Sequence, residues 1–175
     1  MHGLKDKHEI MFEHVGKVLD IARKYGFECE MWCDMYMHAA YGDYEGKFIW
    51  DKSEEVSKII PKDVKIIYWD YWSLDKNHYK FYIDSVRKLT DNFLFAGGAW
   101  NFFGYCPDNA YGIKATKVAF EACRENGVKE VMLTTWSDDG GEASAFAILP
   151  TVVAAYEFSR GNFDMESIKA RFKAI

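Results

Sequence analysis

Four tryptophans, Trp32, Trp69, Trp100 and Trp136, recur at intervals of 31 to 37 residues, and three have an aspartate beside them: Asp34, Asp70 and Asp138. An indole presents a flat apolar face, and a carboxylate presents strong hydrogen-bond acceptors. Together they suit a ligand with apolar CH faces and many hydroxyl donors, which describes a pyranose sugar. A single Trp of this kind would be read as the cap of a core. Four in register, three with a carboxylate, form a pattern. In Trp32-Cys33-Asp34 and Trp136-Ser137-Asp138 the i, i+2 spacing places both side chains on one side of an extended chain. Trp69 and Asp70 are adjacent, so both can line one rim only where the chain leaves regular strand geometry. Asp138, Asp139 and Glu142 surround Gly140-Gly141 and read as a clamp on sugar hydroxyls, with Glu142 also suited to the N-terminus of the next helix. Too few oxygens converge there for a divalent metal, and no metal or other cofactor is expected.

These residues need elements that hold them in register. A helix is expected from about Lys7 to Tyr25, where apolar residues recur near a 3.6-residue period and Gly26 stands as a cap. A strand over 27–34 follows, then a polar loop with Gly42, Asp43 and Gly46, and a short helix over about 53–59. Strand 64–70, helix 75–89, strand 92–100, a helix to about Asn126, strand 130–136 and an apolar helix over 145–159 complete the chain. Strands that alternate with helices and read as continuous apolar runs imply a parallel sheet covered by helices, an α/β fold. A doubly wound open sheet gathers its ligand at one switch point, whereas here every strand end carries a Trp. Site residues at the C-terminal end of each successive strand mark a (β/α)8 TIM barrel, and four strands make half of one. The expectation is therefore a single half-barrel domain over residues 1–175.

Composition bounds the partners. The chain has 175 residues, 17% of them aromatic, with a formal net charge of -5. Its Lys and Arg are scattered among acidic residues, which excludes nucleic acid as the main partner. The stretch from Ala145 to Ala155 is too short to span a bilayer and contains Pro150, so no membrane is expected. The N-terminus lacks the apolar run of a signal peptide, and the expected location is cytoplasmic. Cys29, Cys33, Cys106 and Cys123 show no paired spacing and are expected as reduced, mostly buried thiols rather than zinc ligands. His2, His8, His14, His38 and His78 are read as surface or helix-end residues rather than catalytic ones. No phosphate-binding or nucleophile-elbow motif is present.

The runs Met31-Trp32-Cys33-Asp34-Met35, Tyr68-Trp69-Asp70-Tyr71-Trp72, Gly97-Gly98-Ala99-Trp100 and 134–142 (TTWSDDGGE) resemble glycoside hydrolase family 20, in particular its bacterial exo-β-N-acetylglucosaminidases. The resemblance extends over nearly the whole chain and implies strands five to eight of the catalytic barrel. It implies that Trp32, Trp69 and Trp136 wall the pocket for a terminal N-acetylhexosamine and that Asp138 binds outer hydroxyls. Asp34, Asp70 and Trp100 fall among the pocket residues. The family's acetamido-binding tyrosine would be Tyr71, Tyr68 or Tyr105. Such enzymes use substrate-assisted hydrolysis with an Asp-Glu pair at the end of strand four. That pair has no counterpart in this chain, so none of its residues is expected to be catalytic. The expected partners are an N-acetylglucosamine-containing glycan and either a second copy or an N-terminal half that completes the barrel. Two other readings stay open: a non-catalytic carbohydrate-binding half-barrel, and a different barrel glycosidase with two-carboxylate chemistry drawing on Asp34, Asp70, Asp138 and Asp139.

Overall fold

Every βα repeat begins from a short apolar strand. A computed structural model describes residues 6–43, 47–136 and 144–174. Its strands are β1 (Glu30–Trp32), β2 (Lys65–Trp69), β3 (Phe93–Gly98) and β4 (Val131–Thr134). They form one all-parallel sheet in the order β1-β2-β3-β4. The register pairs Met31 with Ile66 and Ala96 with Met132. Between β2 and β3, Ile66 donates its N–H to the Asn92 carbonyl and Asp70 to that of Ala96. All six residues of β3 are buried, as are Ile66, Ile67 and Tyr68 of β2, which is the signature of strands covered on both faces. The spatial order of the four described strands follows the chain order without reversal.

The helices are α1 (Lys7–Lys24), α2 (Asp34–Tyr41), α3 (Ser53–Ser57), α4 (Lys76–Arg87), α5 (Asn109–Glu125), α6 (Leu149–Ser159) and α7 (Met165–Phe172). Helix α2 occupies residues expected as the end of a strand and a loop. Tyr36, Met37, Ala40 and Tyr41 are all buried, an apolar stripe at helical spacing, and Gly42 with φ 86° ends the helix. Cys33 is consequently a helix cap rather than a strand residue, and β1 is three residues long. The expected helix over 145–159 begins as a 3₁₀ turn over Ala145–Ile148, and α6 starts with Pro150 in its first turn, where a missing N–H costs nothing. Helix α7 was not expected. Asp164 caps it by accepting from Glu166 N–H at 3.1 Å.

The chain divides into two compact units, one of residues 1–67 and 86–93, the other of 68–85 and 94–175. In the first, Tyr36, Met37, Tyr41, Ile60, Val64, Ile66 and Leu89 form the core. Arg23 reaches Asp63 with two hydrogen bonds of 2.7 and 2.8 Å, and Asp51 joins Ser53 to Lys88. In the second, α5 packs on α6. Asn109 donates to the Ala147 carbonyl at 2.8 Å and accepts from the Thr151 hydroxyl at 2.7 Å. The buried Glu157 of α6 accepts from Arg171 at 2.9 Å and from Asn162 at 2.8 Å, which fastens the α6–α7 corner. The cysteines are free thiols: Cys33 and Cys123 are buried, Cys29 is half-buried, and Cys106 is exposed. Among the described residues no helix is long and apolar enough to cross a membrane.

Candidate functional site

Strand β2 delivers Trp69 at its last residue, and the chain then turns through Asp70, Tyr71, Trp72 and Ser73. Tyr71 is the hub. Its ring lies 5.4 Å from that of Trp69, its hydroxyl accepts from the indole of Trp136 at 2.9 Å, and its carbonyl accepts from the indole of Trp100 at 2.7 Å. Three of the expected strand-end tryptophans therefore meet on one tyrosine. The neighbouring strand makes room for it. A Cβ at Gly98 would stand 2.8 Å from the Tyr71 ring, closer than a carbon contact allows, so the close approach of ring and strand depends on the glycine.

Trp100 and Trp136 each lie two residues beyond the end of their strand, where the pleat no longer dictates direction. Trp100 has φ 53°, and it is the one non-glycine residue with positive φ among those described. Such a conformation costs about 1–3 kcal/mol and persists where surroundings over-determine it. The surroundings here are Tyr111, with ring centroids at 4.3 Å, Trp72 at 5.1 Å and Phe102 at 5.4 Å, besides the bond to Tyr71. Trp72 and Phe103 complete an aromatic surface, and Trp72 is 48% exposed.

The 70–73 segment is fixed residue by residue. Asp70 is 9% exposed, and both of its oxygens are engaged. Oδ1 accepts from the Trp72 N–H at 3.1 Å, while Oδ2 accepts from the Tyr68 hydroxyl at 3.2 Å and from His78 Nε2 at 2.6 Å. The Trp72 carbonyl accepts from the Tyr111 hydroxyl at 2.6 Å, and the Ser73 carbonyl from that of Tyr79 at 2.8 Å. Burial raises the Tyr79 phenol far above its ordinary range, so it stays a donor at any physiological pH. The hydrogen bond to Asp70 raises the pKa of His78, against a smaller opposing effect of burial.

Of the sequence-derived residues, Trp69, Asp70, Tyr71, Trp100 and Trp136 belong to this cluster in the second unit. Asp70 is a structural acceptor there rather than an open rim carboxylate. Trp32 ends β1 and Asp34 opens α2, both half-buried and both in the first unit. Asp138, with Asp139 and Glu142, lies outside the described residues. Of the other tyrosines considered, Tyr68 is buried beneath the segment and Tyr105 is 85% exposed on a loop. Sequence reasoning missed His78, Tyr79, Tyr111 and Phe102. His78 was read as a surface side chain, because nothing local links a helix residue to an aspartate eight positions earlier. A buried carboxylate does require a partner, and that requirement is the signal that could have found it. Among the described residues no group of three or more His, Cys, Asp or Glu is placed to hold a metal. Comparison with models of known families and with curated proteins finds no match to the chain.

Proposed function

We propose that the cluster around Tyr71 is the sugar-holding part of a β-N-acetylhexosaminidase pocket of the glycoside hydrolase family 20 kind, built on strands five to eight of a (β/α)8 barrel. The observation that carries this reading is the convergence of Trp69, Trp100 and Trp136 on Tyr71. In it, indole faces take the CH faces of a terminal N-acetylglucosamine, and Tyr71 is the tyrosine that holds its acetamido group. A hydroxyl both donates and accepts, so a phenol beside an amide carbonyl suits that task.

The chain binds the sugar and does not hydrolyse it alone. Asp70 is disfavoured as acid, base or nucleophile, because His78, Tyr68 and the Trp72 N–H already occupy its oxygens. The same fact weighs against a two-carboxylate glycosidase relying on Asp70. Hydrolysis belongs to an assembly with a chain that bears the first four strands and the Asp-Glu pair; a second copy would add strands but no such pair. Incubating the purified chain with a chromogenic N-acetylglucosaminide tests the claim, with calorimetry on the free sugar in parallel. Binding without release of the chromophore is expected, with affinity lowered in Tyr71→Phe. Turnover by the wild-type chain would overturn the non-catalytic part, and absence of binding would overturn the rest.

A further inference from the structure

The bond between His78 and Asp70 joins a titrating group on α4 to the segment that carries Tyr71. Asp70 Oδ2 lies 2.6 Å from His78 Nε2, and Oδ1 of the same carboxylate holds the Trp72 N–H at 3.1 Å. Between those two contacts sits Tyr71, whose carbonyl and hydroxyl receive the indoles of Trp100 and Trp136. We propose that His78 is a positioning residue: as an imidazolium paired with Asp70 it holds the 70–73 segment in its ligand-ready arrangement, and the arrangement loosens when His78 loses its proton.

The groups that face His78 set the direction. Asp70 stands at the end of β2 and Asp75 in the connection to α4, both acidic; the phenols of Tyr79 and Tyr82 lie beside it on its own helix, with ring centroids at 5.5 and 4.8 Å, and Tyr68 shares its acceptor. No cation is among these neighbours, so the imidazolium is what balances the buried carboxylate. The proton on His78 is held more tightly than in the unfolded chain, mainly through the bond to Asp70. The stabilisation is therefore complete below about pH 6.5, the unperturbed histidine value, and fades as pH rises through the higher folded value. A neutral His78 can still donate from Nε2, but the charge that makes the bond strong is gone. What changes is how firmly Asp70 keeps Trp72 and Tyr71 in place.

This inference concerns the same site as the sugar-pocket reading and rests on it for the ligand, whereas its structural part needs none. The test follows two signals of the whole chain between pH 5.5 and 9: the Trp100 indole N–H resonance, which reports its bond to Tyr71, and the affinity for N-acetylglucosamine. In the wild type both are expected to change with the midpoint of the His78 ring titration, affinity falling several-fold on the alkaline side. In His78→Gln, which keeps a donor but no titrating charge, both should be flat across that range. If the Trp100 resonance ignores the His78 titration in the wild type, the proposal is wrong, whatever the sugar does. If it follows the titration while no sugar binds at any pH, positioning stands and the sugar reading fails. The wild-type titration suffices even where a variant folds poorly.

Discussion

Tyr71 carries more of this site than any other side chain, and its position depends on a residue with no side chain. Gly98 lies under the ring at a distance that a methyl group would reduce to 2.8 Å, while Phe102 packs against the ring at 5.8 Å. Gly98→Ala must therefore push either strand or ring, an overpacking cost of about 1–3 kcal/mol. Chemical denaturation should show a loss of that size, with the Trp136 indole resonance shifted as its bond to Tyr71 lengthens. An unshifted resonance would mean that the ring does not depend on the glycine. At this scale the sequence was informative wherever the signal was periodic: Trp69, Trp100 and Trp136 were identifiable because each closes one βα unit. It misplaced His78 as a surface residue and gave no role to the hydroxyls of Tyr79 and Tyr111, because these roles arise only when α4 and α5 return to the strand ends. The adjacency of Trp69 and Asp70 misled in one respect. The two leave the strand together, but the carboxylate goes to a helix histidine instead of the rim.

At the scale of elements, the strand-and-helix alternation was legible because β2 and β3 are continuous apolar runs and α1, α4 and α5 keep helical period. Helix α2 was hidden because it begins two residues past the Trp32 strand end and its first residue, Asp34, had been given a site role. The periodicity of Tyr36, Met37, Ala40 and Tyr41 would have revealed it. Connections are held by polar contacts that the sequence does not advertise. Asp51 accepts from the N–H and hydroxyl of Ser53 at 3.0 and 2.6 Å, and from Lys88 at 3.1 Å. These bonds, that of the Ser53 hydroxyl foremost, lower its pKa to about 2. A carboxyl depressed on folding stabilises the fold fully above its unfolded value near 3.9, and that contribution is lost as pH falls toward 2. Acid titration should therefore cost the wild type stability between about pH 4 and 2, and Asp51→Asn should remove part of that dependence. Identical acid profiles in the two proteins would assign the effect elsewhere. Asp51 is largely exposed, so the contribution is a small one.

For the molecule as a whole, each unit leaves apolar surface uncovered. In the first, Ile10, Val18 and Ile21 of α1 are exposed. In the second, a groove of roughly 160 Å³ runs between β4 and α6, lined by Val131, Met132, Leu133, Val152, Ala155 and Tyr156. Strand β4 is the last of the sheet, and its residues 131–133 are only partly buried, unlike those of β3. An outer strand flanked by apolar side chains is a template for another chain. Closure by a second copy related by a twofold axis would bury it. Sedimentation at micromolar concentration should give a dimer that Tyr156→Glu converts to monomer; a monodisperse wild-type monomer would contradict this assembly.

If the aromatic cluster on Tyr71 receives N-acetylglucosamine, the indole N–H signals of the tryptophans report it most directly. Titration with N-acetylglucosamine should move the resonances of Trp69, Trp100 and Trp136 together and saturably, with glucose, which lacks the acetamido group, producing a much smaller change. Resonances that stay fixed at saturating N-acetylglucosamine, or that respond equally to glucose, would mean that the cluster is not a site for this sugar.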